Sequence, residues 1–358
     1  MTKFHKLHVA EVLPETRDAI VVKLKPSEQL IDHYVYRAGQ HLTFKVDIGG
    51  QEIRRSYSIC SAVQERVLRV AIKKVDDGLF SNWAFENLKP GASVEVMEPQ
   101  GNFNVPLQPD QARHHVAFAS GSGITPILSL IKTTLLGEPK SRVTLVYGNR
   151  ASSSVMFKNE LEDLKDLFMT RLTLVFVLSR EQQDVDLFNG RIDGEKCRQL
   201  LKRWVDPNTI DVAYICGPQS MMEQVQEHLL NEGLTRGQIK LELFAAAMHK
   251  GPQPERKHVI NGTKGCSVTI VHHGLKRDFE MGKNKESLLD AAIEEGIELP
   301  YSCKGGVCGT CRAKLLKGEV DMDANYALED YEVARGFILA CQSFPITDSL
   351  TVDLDQET

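Results

Sequence analysis

The sequence predicts a multidomain chain: a β-barrel, then an α/β domain on a parallel sheet, then a small α+β module of β-grasp order. Three observations predict it. Short alternating segments with even spacing fill residues 1–108. From about residue 111, strand-like and amphipathic helical segments alternate, the pattern of a parallel α/β sheet. Near the C-terminus, Cys303, Cys308 and Cys311 stand at C-x4-C-x2-C spacing in a glycine-rich loop, with Cys341 thirty residues further on.

In the barrel, strands are expected over 6–12, 19–24, 41–46, 53–60, 67–75 and 93–97. Turn signals such as Ala38-Gly39, Gly49-Gly50 and Pro90-Gly91 separate them. A short helix over 81–88 interrupts the series. On the fourth strand, Arg55 and Tyr57 are two apart and therefore share a face. An arginine there can clamp a diphosphate, the aromatic ring can stack on a flavin, and the neighbouring Ser58 hydroxyl can hydrogen-bond the ring edge. The same letters also describe an ordinary strand with surface charge. Gly78-Leu79-Phe80-Ser81 adds a glycine turn and a serine opening a helix, whose unpaired N–H groups suit a phosphate. Its plain alternative is an N-cap.

The α/β domain starts with a strand over 115–120 and runs into Gly121-Ser122-Gly123-Ile124-Thr125-Pro126, which opens a helix reaching about 136. A diphosphate-binding turn requires that context. Pro126 replaces the third glycine of the dinucleotide fingerprint. Strands over 142–147, 172–178 and 212–216 alternate with helices over 156–167, 194–202 and 220–231, and the segment closes with residues 239–244. Cys216-Gly217-Pro218 ends a second strand, and ligands of open α/β sheets bind at the carboxyl ends of strands. Arg150, Ser179 and Arg180 close two more strands. They offer cations and a hydroxyl for a 2′-phosphate, where an acidic residue would suit a free ribose, so NADPH is expected over NADH. Solvated loop charge is the competing reading.

Residues 246–264 read as a linker, with Gly251-Pro252, Pro254 and Asn261-Gly262 and little periodicity. Beyond it come a hairpin around His273-Gly274, a helix over 287–295 with Ser287 as N-cap, the cysteine loop, and strands over 312–316 and 349–353. The cysteine spacing is that of plant-type [2Fe–2S] ligands. A structural zinc site favours paired C-x2-C units, and only Cys308 and Cys311 are so paired. Gly305, Gly306 and Gly309 are expected at positive φ, turning N–H groups toward anionic sulfur. Cys60, Cys197, Cys216 and Cys266 read as buried small hydrophobes. His114-His115 and His272-His273 read as core or turn residues.

The chain has 358 residues, 42% hydrophobic and 25% charged, with a net charge of −5. Residues 265–358 hold 17 acidic and 9 basic side chains, net −8, which leaves residues 1–264 at +3. An acidic module on a mildly basic body suggests electrostatic docking and gives no reason to expect nucleic acid binding. No apolar run reaches membrane-spanning length and no signal-peptide pattern opens the chain. Eight cysteines in that setting lead us to expect a reducing compartment, the cytoplasm, and metal or redox use of thiols.

With these motifs in this order, Arg55-x-Tyr57-Ser58, Gly121-x-Gly123-x-x-Pro126, Cys216-Gly217-Pro218 and the four cysteines, the chain resembles the ferredoxin–NADP reductase superfamily with a plant-type ferredoxin fused at its C-terminus. The resemblance covers essentially the whole chain. Tyr36 to Leu42, Tyr147 to Arg150, Gly190 to Lys196, Cys303 to Cys308 and Asn325 to Leu328 are similar to the reductase components of multicomponent phenylacetyl-CoA 1,2-epoxidases of phenylacetate degradation. The resemblance implies a Greek-key FAD-binding barrel over 1–108, an NADP(H)-binding domain over 109–245 and a [2Fe–2S] ferredoxin domain over 265–358. It implies that Arg55 contacts the FAD diphosphate, Tyr57 stacks on the isoalloxazine, Ser58 lies near its N5, and Gly78 to Ser81 hold phosphates. Thr125 would line the nicotinamide site, Cys216 would approach the nicotinamide, and Phe244 would lie near the flavin. The family's Glu-Arg-Phe at that last position is Glu242-Leu243-Phe244 here. The implied activity is NADPH oxidation through FAD and the cluster to an oxygenase partner, a diiron epoxidase acting on phenylacetyl-CoA. The alternatives are a reductase of another aromatic oxygenase of NADH/FMN type, and a non-redox zinc-binding adaptor.

Overall fold

The structure is a computed structural model and describes residues 4–244, 265–283 and 286–356. It divides into two compact units, over residues 3–247 and 248–358. The expected linker over 246–264 lies outside the described residues.

The first unit opens with a six-stranded antiparallel sheet: β1 (Phe4–Thr16), β2 (Ala19–Lys25), β3 (His41–Ile48), β4 (Gln51–Ser58), β5 (Leu68–Lys73) and β6 (Ser93–Met97), in the order β4-β3-β6-β1-β2-β5. An Ile59–Val70 bridge joins the end of β4 to β5 and closes the sheet into a Greek-key barrel. Alternation points Leu7, Val22, Leu42, Phe44, Ile72 and Val96 inward, where each is fully buried. The short helix α1 (Leu79–Asn87) starts two residues earlier than the sequence suggests.

The α/β part follows as β7 (His114–Ser120), α2 (Ile124–Gly137), β8 (Arg142–Asn149), α3 (Lys158–Leu167), β9 (Leu172–Leu178), α4 (Gly194–Trp204), β10 (Val212–Cys216), α5 (Gln219–Asn231) and β11 (Ile239–Glu242). All pairs are parallel, in the order β11-β10-β7-β8-β9. The chain therefore reverses direction across the sheet between β7 and β10, the place where such sheets bind ligands. Helix α2 is buried from Ile124 through Leu135, all round rather than on one stripe, because the barrel covers its outer face. Ser129 Oγ donates to Ser61 O (2.6 Å), and Thr133 Oγ1 accepts from Val63 N (3.2 Å).

The second unit carries β12 (Gly265–His272) and β13 (Leu275–Gly282), a hairpin whose turn residues His273 and Gly274 both have positive φ. The positive φ at His273 brings its ring to 3.8 Å from that of His272, instead of onto the opposite face. Helix α6 (Leu288–Glu294) is capped by Ser287 Oγ, which accepts from Asp290 N (3.2 Å). Then come β14 (Arg312–Lys317), β15 (Val320–Met322), α7 (Asp330–Ala334), β16 (Phe337–Leu339), β17 (Ser343–Pro345) and β18 (Ser349–Asp353). The sheet order is β13-β12-β18-β14-β16, with β12 and β18 parallel. Elements β15, α7, β16 and β17 are three to five residues long, too short to show a period in the sequence. Among the described residues no helix is long and apolar enough to cross a membrane.

Candidate cofactor sites

Cys303, Cys308 and Cys311 lie on the loop between α6 and β14, and Cys341 follows β16 in a helical turn. Ala340 N donates to Cys311 O (3.0 Å), which fastens the distant ligand to the loop. The thiols associate in two pairs, Cys303 with Cys308 and Cys311 with Cys341. The Cys308 thiol and the N–H groups of Gly305, Val307 and Cys308 pull Cys303 down to about 6. Cys341 is lowered by the Cys311 thiol and by the Gly306 N–H. Gly305 N lies 3.3 Å from Cys303 Sγ. The expected nest for negative charge is thus present, with one correction. Positive φ falls on Lys304, Gly306 and Gly309, and Gly305 is not among them. Gly306 is obligatory, because a Cβ there would meet Ala324 O at 2.8 Å.

The donor set is all sulfur. Groups of three ligand atoms within 4.8 Å of one another occur elsewhere among the described residues, not at these cysteines. A single zinc would gather its sulfurs to roughly 3.8 Å. Two sulfur pairs suit two irons, so these residues fit a [2Fe–2S] cluster.

On the barrel, β4 alternates as expected. Arg54 is buried, ion-pairs with Glu52 (2.8 Å) and lies over the Phe4 ring (4.9 Å). Arg55 is exposed on the other face with half-buried Tyr57. The Tyr57 ring rests edge-on against Phe44 (5.8 Å) and tilted against Phe80 (5.5 Å). Burial raises its phenol well above the ordinary value. An aromatic ring braced from behind, beside an exposed guanidinium, fits a flavin with its diphosphate. Gly78 is the N-cap of α1. The Ser81 hydroxyl is used inside the turn, accepting from Val75 N (3.1 Å) and donating to Gly78 O (3.2 Å). What remains for a phosphate there is the backbone N–H groups of the first turn.

At the crossover between β7 and β10, the two strand ends touch. A Cβ on Gly123 would sit 2.2 Å from Cys216 O, and one on Gly217 would sit 3.1 Å from Ser120 Cβ. Gly121 has φ +54°, and its carbonyl accepts from Tyr147 Oη (2.9 Å). Thr125 is buried and donates to Ser122 O (3.0 Å). Pro126 stands in the first turn of α2, where its missing N–H costs nothing. At the ends of β8 and β9, Arg180 N donates to Arg150 O (2.8 Å), which sets these two exposed arginines side by side. Ser179 N and Oγ both bond Asn149 O. The Glu181 carboxylate is drawn off onto Ser152 N (2.7 Å) and Oγ (2.9 Å), leaving that edge cationic.

The structure gives a place in the site to a residue to which the sequence assigned no role. Glu242 lies opposite Cys216 in the β10–β11 ladder, and its Oε2 accepts from Ser58 Oγ (3.3 Å). Burial pushes its carboxyl up to about 8, and the Ser58 hydrogen bond offsets part of that. Burial and then the Glu242 charge raise the Cys216 thiol well above its usual value. A carboxyl and a thiol that burial holds toward their protonated forms, and a hydroxyl, therefore meet where the barrel strand reaches the crossover. Phe244 is half-buried two residues on, against the same core. In sequence, Glu242 is marked only by its place at a strand end and by its match to the glutamate of the family's Glu-Arg-Phe, neither of which shows that it is buried against Ser58. A second unanticipated group is the ion cluster of Lys132 on α2 with Glu65 and Glu160 (Lys132 to Glu160 2.6 Å), extended by Arg69 to Glu160 (2.7 Å).

Family models match in three stretches: the oxidoreductase FAD-binding domain over 6–105, the oxidoreductase NAD-binding domain over 118–227 and the 2Fe-2S iron-sulfur cluster binding domain over 270–345. The chain is 43% identical over 356 residues to one of the subunits of the 1,2-phenylacetyl-CoA epoxidase of Escherichia coli, covering 99% of each. It is 31% identical to the ferredoxin reductase component of 3-ketosteroid-9-alpha-monooxygenase of Rhodococcus rhodochrous, covering 97% of this chain and 96% of that one. Its fold is similar to that of phthalate dioxygenase reductase, whose structure is described as modular, for electron transfer from pyridine nucleotides to [2Fe-2S]. The TM-score is 0.59 at 25% identity, over 98% of both chains.

Proposed function

The chain belongs to the family of oxygenase reductase components that join FAD-, NAD- and [2Fe–2S]-binding domains, and from that premise we propose that it carries electrons from NADPH to the oxygenase of a phenylacetyl-CoA epoxidase. The observation that carries the reading is the Ser58–Glu242 contact. It joins the strand bearing Arg55 and Tyr57 to the strand end beside Cys216, so a ligand stacked on Tyr57 and one held at the crossover meet at one point. When bound, the flavin takes up two electrons together and the cluster passes them on singly.

The chain's own work is positioning. Arg55 holds the FAD diphosphate, Tyr57 the ring face and Ser58 its edge, while Gly78 and the turn shaped by Ser81 receive phosphate oxygens. Gly121, Gly123, Thr125 and Pro126 form the floor for the nucleotide diphosphate, and Cys216 and Gly217 leave room for the nicotinamide. Arg150, Ser179 and Arg180 hold the 2′-phosphate, which favours NADPH over NADH. Phe244 closes the site on the flavin side. With its proton in place, Glu242 puts no negative charge beside the ring edge, where electron density builds up. Cys303 and Cys308 hold one iron, and Cys311 and Cys341 the other. The domains run over 1–108, 109–245 and 265–358, joined by the linker over 246–264. The four cysteines outside the cluster, Cys60, Cys197, Cys216 and Cys266, are free thiols, which supports a cytoplasmic, reducing setting.

Reconstitution tests the reading. With the oxygenase components of a phenylacetyl-CoA epoxidase, the chain should support NADPH-dependent epoxide formation. Support of a ring-hydroxylating dioxygenase in its place, with NADH preferred, would overturn the assignment of partner and cofactor.

A further inference from the structure

We propose that His5, His33 and Glu98 form a binding site on the barrel for one transition-metal dication of the zinc type. The three residues come from separate segments that the fold holds together firmly. His5 lies on β1, where the β1–β6 register sets it opposite Val96, and Glu98 is the first residue past β6. His33 sits on the single turn Asp32–Tyr34, between β2 and β3. That turn is pinned from below, because buried Tyr34 donates its hydroxyl to Val96 O at 2.6 Å.

Glu98 Oε1 is shared between two imidazoles, 2.9 Å from His33 Nδ1 and 3.4 Å from His5 Nε2. All three ligand atoms lie within 4.8 Å of one another. Tetrahedral zinc with bonds of about 2.0–2.2 Å separates nitrogen and oxygen ligands by roughly 3.3 Å. The two separations from Glu98 lie on either side of that figure, and the two imidazole nitrogens lie within 4.8 Å of each other, so a cation can enter by drawing the two rings together. Two imidazoles with one carboxylate select a borderline metal such as zinc over calcium or magnesium, which take oxygen ligands. Three protein ligands leave the fourth position to water, and His33, with its side chain 53% exposed, leaves the way in open.

The other compact group, His272, His273 and Asp355, is a poorer candidate. There the carboxylate already accepts the backbone N–H groups of His273 and Gly274 at 2.8 Å each. At the barrel site, a bound cation would tie the start of β1, the end of β6 and the β2–β3 connection into one unit. It would therefore act on the stability of the barrel, not on electron transfer.

The test uses holoprotein dialysed against EDTA and titrated with zinc chloride in a calorimeter, with absorbance checked so that the cluster and flavin are seen to stay intact. Wild-type protein should bind one equivalent that Glu98→Gln and His33→Gln both lose and His273→Gln keeps. Zinc should also raise the melting temperature of wild type but not of Glu98→Gln. No such equivalent in wild type, or the same stoichiometry in Glu98→Gln and His33→Gln, would overturn the proposal.

Discussion

Replacing Glu242 by glutamine should flatten one specific part of the stability–pH curve. The carboxyl has an ordinary value of 4.5 and is pushed by burial to about 8 in the folded chain. Between those values the folded state holds a proton that the unfolded state has released. The contribution is therefore fully present below about pH 4.5 and is lost as pH rises toward 8. At about 1.4 kcal/mol per pH unit, the whole shift corresponds to about 5 kcal/mol. Glu242 is only partly buried, and solvent screening cuts that to roughly 2–3 kcal/mol. For a unit of this size the loss amounts to roughly 5–10 °C in melting temperature between pH 5 and 9. The glutamine side chain in Glu242→Gln can still accept from Ser58 but has no proton to lose. Calorimetry of the FAD-loaded protein across that range should give a sloping line for wild type and a line shallower by this amount for Glu242→Gln. Parallel lines would refute the claim that Glu242 is held neutral by its surroundings.

Three further substitutions probe the other contacts. Cys308→Ser should remove the cluster's electron paramagnetic resonance signal while flavin reduction by NADPH continues. Arg180→Ala should weaken NADPH by roughly ten- to hundred-fold, the value of a charge-assisted phosphate contact, with NADH nearly unchanged in the same titration. Lys132→Met should lower stability by roughly 1–2 kcal/mol, read as a lower urea midpoint, because Glu65 loses Lys132 and Glu160 is left with Arg69 at the contact between α2 and the barrel.

The parts legible in the sequence are those whose chemistry needs a fixed spacing. The cysteine spacing, the two glycine turns and the alternation that sets Arg55 beside Tyr57 are all local, and the structure gives them the expected backbone settings. Even there, neighbours decide the detail: Lys304 takes a positive φ that the glycine pattern assigned to Gly305. Residues that act across the fold were not legible. Glu242 gains its raised pKa only from the burial that folding imposes on it, and Ser58, its hydrogen-bond partner, lies 184 positions away. Lys132 reads as an ordinary lysine on a helix until the barrel buries it to 7% exposure. The short strands between 320 and 345 draw their pairing from β14 and one another, not from any period of their own.

The most direct test of electron flow through this chain is anaerobic stopped-flow mixing of the holoprotein with NADPH, followed at flavin and cluster wavelengths. The account predicts that flavin absorbance falls first and cluster absorbance after it, and that Cys308→Ser shows the first phase alone. Bleaching of the cluster ahead of the flavin, or no reduction of either by NADPH, would contradict it.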